Sequence, residues 1–357
     1  MSGRIRRLYR KFKSWRTIVW EAKAEYDVPF FTKLRYALHG FSANEYIWFD
    51  FRHHDYREYI SEYERMAARE INGRYKFILD NKLIFEEVFG KYVRVPVNYA
   101  WISYGHIYGL HQYHVNNENI IDFLYEVRKA VLKYLDSGGG AGTYIFEQNG
   151  GRLLVNGQAA EEEEIIGLFG RAGESILCEY ITQSDFASSL YPETTNTMRI
   201  VCAKRKDENT AKVVAAAQRI GNKKSAPVDN VSRGGFVSRI DLKSGELSEA
   251  FSVHKNSSTQ TSPYVFHPDS GGMIKGRVIP GWERLKTEIE VLTNQVPYLN
   301  FVAWDVLLTE ESEGTGSYCI IEGNASTDYT MFQMQHGITD SELGRVLFSY
   351  KNLLESQ

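Results

Sequence analysis

The sequence predicts an α+β protein in which a mostly helical N-terminal region precedes two lobes of mixed strands and helices. Three observations carry that expectation. At 357 residues the chain is long for one compact core and short for three ordinary domains, so two domains or two lobes fit. Near residue 130 the texture shifts from charged, aromatic, helix-like segments to short apolar runs broken by Gly, Asn and Asp. Hydrophobic residues make up 43% and charged residues 24%, a globular composition that excludes disordered and fibrous classes. The expected divisions are 1–75 for the helical region, 76–195 for the first lobe and 196–357 for the second.

The elements follow in order. Tyr46, Trp48, Phe49, Phe51, Tyr56, Tyr59 and Tyr63 crowd a charged segment that ends in the amphipathic run Glu62 to Glu70. A helix is expected at Lys82 to Phe89, a strand at Val93 to Val97 and strands around Ala100 to Tyr108. The run AVLKYLDSGGGAGTYIFE from Ala130 predicts strand, glycine loop, strand. An acidic helix at Glu161 to Phe169 and a strand at Ser175 to Ile181 follow. Asn196 to Leu247 is strand-rich, with loops at Asp207 to Asn209 and Asn222 to Pro227. Residues 252 to 281, rich in Ser, Gly, Pro and His, predict a long functional loop. A helix at Glu283 to Asn294, strands at Asn300 to Leu308 and Tyr318 to Ile321, and a helix at Ser341 to Leu354 close the chain.

Charge is uneven. Residues 1 to 36 hold ten Lys or Arg against three acids, a net of +7, so a formal charge of −3 leaves −10 for the other 321 residues. Ile5, Leu8, Phe12, Trp15 and Val19 recur at three- and four-residue steps, which puts them on one helical face. Such a helix either docks that stripe on its own domain or, through residues 1–20, attaches peripherally to an anionic membrane or a phosphorylated partner. Nucleic acid is not expected as a partner, because the rest of the chain is acidic and no reading motif follows. No apolar run reaches 18 residues, and the basic start lacks an apolar h-region, so neither a spanning helix nor a cleaved signal peptide is predicted. Cys178, Cys202 and Cys319 are odd in number, far apart and set in apolar runs, which predicts buried reduced thiols and a cytoplasmic protein, with the membrane's inner face as the peripheral site.

Two constellations carry chemistry. Lys133 on a strand precedes Ser137, Gly138, Gly139, Gly140 and Gly142. Glycine turns let backbone N–H groups approach phosphate oxygens, and a nearby lysine adds a point charge. The second set is Asp305 in FVAWDVLL with Glu322 and Asn324 in CIIEGNA. Glu322 and Asn324, two apart, share one face of a strand, and carboxylates among apolar strands suit a hard cation such as Mg²⁺. His53, His54, His111 and His114 lack the company a zinc site needs. A nucleophile elbow for Ser-His-Asp hydrolysis is absent.

In this order along the chain, these residues resemble the ATP-grasp superfamily over roughly residues 75 to 340. NTMRIV (Asn196 to Val201), DNVSRGGFVSRID, HPDSG, IPGWE and VAWDVLLTE are similar to the branch called sugar-transfer-associated ATP-grasp proteins, linked to cell-surface polysaccharide and capsule synthesis. The resemblance implies two lobes clasping ATP, with phosphates on Lys133 and the glycine loop and magnesium on Asp305, Glu322 and Asn324. It implies adenine contacts at Glu179, Tyr180 and Ile181, a nucleotide contact from Lys82, and a ribose acid at Asp185 or Glu193. Ala303 and Trp304 stand where many such ligases carry an arginine before the metal aspartate. Arg199, Arg219, Arg239 or Arg277 must then supply that charge, with Arg199 the first choice. His267, as an exposed imidazole in its loop, and Arg277 are the other catalytic candidates; Asn196, Asp229, Asn230 and Gly235 are the substrate-facing ones. The implied reaction joins a small-molecule or sugar-linked carboxylate to an amine, of the amino-acid-to-uronic-acid kind. A sugar kinase on the same site and a non-catalytic nucleotide-binding module are the alternatives.

Overall fold

The computed structural model describes residues 3–135, 142–252, 263–312, 315–334 and 336–350. Ser137, Gly138, Gly139 and Gly140 of the expected phosphate loop lie outside these residues. Among the described residues, seven strands form a first sheet: β1 Asn98–Ser103, β2 His106–Gly109, β3 Lys129–Tyr134, β4 Tyr144–Asn149, β5 Arg152–Val155, β6 Gln158–Ala159 and β7 Ser175–Glu179. Their order is β2-β1-β7-β3-β4-β5-β6, paired antiparallel. Six more form a second antiparallel sheet: β8 Met198–Ala203, β9 Lys212–Ile220, β10 Phe236–Ile240, β11 Leu247–Phe251, β12 Phe301–Ser312 and β13 Thr315–Asn324, in the order β11-β10-β9-β8-β12-β13.

The two sheets differ in how many faces they cover. In the first, Ala130, Leu132, Phe146 and Leu177 pack with Phe123 and Leu124 of the helix Ile120–Val127 and Ile165 and Phe169 of the helix Glu162–Arg171. Successive strand residues point to opposite faces, so Val131 and Lys133 turn away from that core. The second sheet is covered on both sides. Met198, Ile200 and Cys202 of β8 join one core with Trp304, Ile289 and Phe85, while Val201 and Ala203 join another with Phe49, Tyr59 and Val346. A strand buried on both faces reads as a continuous apolar run, which is how MRIVCA reads.

The helical region before residue 76 seals that second face. Its short helices are locked by local chemistry, as at Ala43–Trp48, where Ser42 and Glu45 form a capping box. Phe41, Phe49, Phe51 and Tyr59 fill the space beneath, in stacked, tilted and edge-to-face contacts. The helix Lys82–Phe89, grouped with the first lobe on sequence, packs Phe85 and Phe89 around Trp304 of the second sheet.

Residues 93–97 are not a strand, which corrects the expectation at Val93 to Val97. Pro96 has no N–H for a ladder. Instead the segment bridges the sheets: Arg94 O accepts from Ile320 N at 2.9 Å in β13, and Val97 O accepts from Glu179 N at 2.9 Å in β7. A second crossing follows β7, where Ser184 N donates to Leu308 O of β12 at 2.8 Å. These two tethers hold the second face of the first sheet, where Ile176 and Cys178 pack with Val131 and Leu83, against the edge of the second sheet. Each cysteine is buried and free in a strand, Cys178 in β7, Cys202 in β8 and Cys319 in β13. Among the described residues, no helix is long and apolar enough to cross a membrane.

Candidate active site

The cleft between the sheets holds two adjoining cavities of about 180 and 540 Å³, which meet at Lys82 and Glu322. The smaller is bounded by Val131, Lys133 and Cys178 from the first sheet, by Tyr180 and Ile181 from the crossing, and by Asp305 and Glu322 from the second sheet. The larger opens beyond Glu322 and Asn324 towards Arg199, Arg65 and Arg69.

Lys133 follows Leu132 in β3. Leu132 enters the core, so Lys133 faces the cavity, half-buried. Among the described residues its ammonium makes no hydrogen bond or ion pair. A half-buried ammonium without a counter-charge, in a cavity, suits an anionic ligand. Lys82 begins its helix and donates from Nζ to Leu135 O at 3.1 Å, while lying 3.8 Å from Glu322 Oε2. It therefore touches the end of the first sheet and the last strand of the second at once. Gly142 of the expected phosphate loop has φ +69°, and a Cβ there would overlap the Tyr134 ring at 1.9 Å. Only glycine fits that return into β4.

The crossing brings three expected residues to the cavity. Glu179 is held by Arg94 Nη2 at 3.3 Å and accepts Val97 N–H at 3.4 Å. The Lys129 ammonium sits 4.1 Å from the Tyr180 ring centre, a cation–π contact. Ile181 is buried against Leu307 and Cys319. Asp185 does not join them. It starts the helix Asp185–Leu190 behind the Ser184 cap and is exposed, and Glu193 is exposed too, accepting from Tyr191 Oη at 2.8 Å.

The acidic set is more heavily engaged than its sequence suggests. Asp305 and Glu322 are directly paired across β12 and β13, and Asp305 and Arg199 are paired across β12 and β8. Arg199 Nε donates to Asp305 Oδ1 at 2.5 Å and Nη2 to Oδ2 at 3.2 Å; Arg219 Nη2 reaches Oδ2 at 3.0 Å. Burial alone would push this carboxyl up, but Arg199 and Arg219 outweigh it and hold it below the usual carboxylate range. Burial would likewise lower Arg219, yet Asp229, Asp305 and Glu322 hold its guanidinium above its ordinary value. Arg199 also donates from Nη1 to Thr327 Oγ1 at 3.1 Å. Asn324 donates its amide to Ala303 O at 3.4 Å, leaving its carbonyl oxygen as an acceptor.

Asp229 lines the smaller cavity, its Oδ2 accepting from Thr197 N at 2.7 Å and Thr197 Oγ1 at 2.6 Å, with Arg219 Nε 3.5 Å away. Asn230 lines it too and caps the turn to Arg233, accepting Ser232 N–H. Gly235 lets the chain double back: a Cβ would lie 2.8 Å from Asp229 O.

Three expectations are corrected. Asn196 is 1% exposed; its amide donates to Tyr191 O at 2.6 Å and Ala187 O at 3.0 Å and its oxygen accepts Gly221 N–H, so it clamps the helix Asp185–Leu190 and its exit to the end of β9 and has no reach to substrate. His267, expected exposed, is buried: Nε2 bonds Gly221 O at 2.8 Å and Nδ1 accepts Asp269 N–H and Ser270 N–H. It is a loop staple, because the residues around it need its two ring nitrogens for their own backbone groups. Arg277 lies outside the cleft, bonded to Ser189 Oγ at 2.7 Å and stacked over Phe186. Arg219, one of the four candidate cations in the sequence, proves to hold Asp305 together with Arg199. The usable signal was a lone cation near the end of the apolar strand KVVAAAQRI.

Magnesium fits in part. Among the described residues no cluster of three or more His, Cys, Asp or Glu could hold a metal by itself. Glu322 and the Asn324 carbonyl are available. Asp305 Oδ2 already takes two arginine donors and Oδ1 one, and the carboxylate is engaged with the Glu322 side chain as well. One or two carboxylates completed by phosphate oxygens is a normal Mg²⁺ site.

The family model described as sugar-transfer associated ATP-grasp matches residues 62–345. No curated protein matches the sequence significantly. Among solved structures, the chain is similar to an N5-carboxyaminoimidazole ribonucleotide synthetase in its ADP complex (12% identity, 71% of this chain and 46% of that one, TM-score 0.39). It is also similar to the ATP-grasp ligase PsnB complexed with minimal precursor (11% identity, 79% and 62%, TM-score 0.38). A third is D-alanyl-alanine synthetase A from Vibrio cholerae O1 biovar eltor (10% identity, 78% and 66%, TM-score 0.42). The chain thus spans 46–66% of the length of these proteins.

Proposed function

Because this chain belongs to the sugar-transfer associated ATP-grasp family, we propose that it is an ATP-dependent ligase joining a carboxylate to an amine. The observation that carries the reading is the meeting of two cavities at Lys82 and Glu322, with Lys133, unpaired among the described residues, in one and Arg199 in the other. That arrangement supports a nucleotide in the smaller cavity, its phosphates towards Lys133 and Lys82, and an acceptor in the larger. Tyr180 and Ile181 suit the adenine and Glu179 the base edge. Glu322 and Asn324, beside Asp305, would hold Mg²⁺, which would neutralise charge developing on the phosphoryl oxygens.

In the reaction a carboxylate oxygen bonds the γ-phosphorus and ADP leaves. The amine nitrogen then bonds the acyl carbon and phosphate leaves. The chain's part is to hold both reactants in line and to stabilise charge. Arg199, fixed by Asp305 and Thr327 and lining the acceptor cavity, supplies the cation that Ala303 and Trp304 do not. By family association the carboxylate belongs to a cell-surface sugar or its precursor, such as a uronic acid, and the buried free cysteines accord with a cytoplasmic setting.

The test is hydroxylamine trapping. With ATP, Mg²⁺ and a panel of uronic and amino acids, the reading predicts ADP, phosphate and a hydroxamate. A phosphorylated sugar without hydroxamate would make the protein a kinase. Failure to bind a non-hydrolysable ATP analogue by calorimetry would overturn the nucleotide site itself.

A further inference from the structure

We infer that the helix Gly3–Trp15 and the helix Phe30–Ala37 together form a docking face for an anionic lipid bilayer. The inference is independent of the ligase reading. On sequence, the stripe Ile5, Leu8, Phe12, Trp15, Val19 could dock inward or face a partner. The structure divides it. Val19 is buried and Trp15 Nε1 donates to Ala37 O at 2.7 Å, anchoring the C-terminal end. Ile5, Leu8 and Phe12 remain 49%, 61% and 56% exposed.

From Phe12 the exposed face continues onto a second element. An unbroken aromatic row runs Phe12 to Trp15 (5.8 Å between ring centres), to Trp20 (6.3 Å), to Phe30 (6.0 Å), to Phe31 (5.5 Å). Phe30 is 60% exposed and Phe31 81%, large apolar side chains that water alone would not favour at the tip of a helix. The Lys33 ammonium lies 4.7 Å from the Trp20 ring centre. Arg6, Arg10, Lys13 and Arg35 are exposed on the same two helices, and Arg16 is exposed just beyond the first.

Charge selects the occupant. Residues 1 to 36 carry +7, so a second copy brought against this face would set two strongly basic regions together. A bilayer with anionic headgroups pairs with that charge, while Trp and Phe enter the headgroup boundary and Lys and Arg reach back to phosphates. Among the described residues no helix could cross a membrane, so the contact is peripheral.

Vesicle co-sedimentation of the full chain tests this. Wild type should pellet with vesicles of phosphatidylglycerol and phosphatidylcholine at low salt. Binding should fall about tenfold or more on pure phosphatidylcholine, and likewise at high salt, where charges are screened within a few ångströms. The double variant Phe30→Ser, Phe31→Ser should bind anionic vesicles about tenfold more weakly, with its thermal melt and ATP-analogue affinity unchanged. Equal pelleting of variant and wild type, or no pelleting of wild type at low salt, would overturn the proposal. So would light scattering that finds a wild-type dimer dispersed by the same two substitutions, since the face would then be a self-interface.

Discussion

Arg199 and Asp305 stand opposite each other on adjacent strands, 106 positions apart in sequence, and close a two-pronged ion pair at 2.5 and 3.2 Å with side chains 8% and 3% exposed. A carboxylate so buried is tolerable only because two guanidiniums, Arg199 and Arg219, satisfy it. Asp305→Asn should therefore unfold the protein more easily by about 3–5 kcal/mol, by leaving buried positive charge uncompensated. Urea titration measures it. A loss under about 1 kcal/mol would mean that water reaches the pair.

Glu322 should behave in the opposite way. Its side chain is a quarter exposed and 3.8 Å from Lys82, a weak, hydrated pair. Glu322→Ala and Asn324→Ala should change stability by less than about 1 kcal/mol and abolish ATP turnover. Turnover beside a thermal melt decides; wild-type rates at limiting magnesium would remove both from the metal site.

Lys133 has no partner to lose among the described residues. Lys133→Ala should leave the melt unchanged and weaken binding of an ATP analogue by roughly ten- to a hundredfold, the equivalent of ~1.5–3 kcal/mol for a charge-assisted contact. Titration calorimetry reads it directly. Unchanged affinity would mean the phosphates lie elsewhere.

His267 gives the fold a pH dependence. Burial lowers its pKa, with the Gly221 bond and Asp269 only partly opposing. The unfolded imidazole titrates near ~6.5, so below that pH the unfolded chain binds a proton that the folded chain resists. Stability is then full above about 6.5 and is lost as pH falls through that value. Melts from pH 7.5 to 5.5 should show a decline that His267→Asn flattens; an equal slope in both would assign the effect to other groups.

Local patterning made much of the fold legible. The helix Lys82–Phe89 and the strand pair around the glycine loop stand where residue period and flanking glycines put them. Lys133 was legible because alternation with Leu132 sends it to the opposite face. Asp305 was legible as an acid in an apolar strand and Arg199 and Arg219 as candidate cations, but their pairing with it was not, because register between distant strands leaves no local trace. Asn196 and His267 show the converse limit. A polar residue in a loop looks the same in sequence whether it meets a substrate or fastens the loop, and only the backbone groups around it decide.

The three thiols give the molecule a chemical clock. Burial raises all of them, Cys202 and Cys319 to about 12, so almost none is thiolate at neutral pH and alkylation must wait for exposure. Cys178 borders the cleft, whereas Cys202 lies inside the second sheet's core. Their labelling rates would therefore time two different events, parting of the lobes and global unfolding, and a nucleotide that clamps the lobes would slow the first clock more than the second.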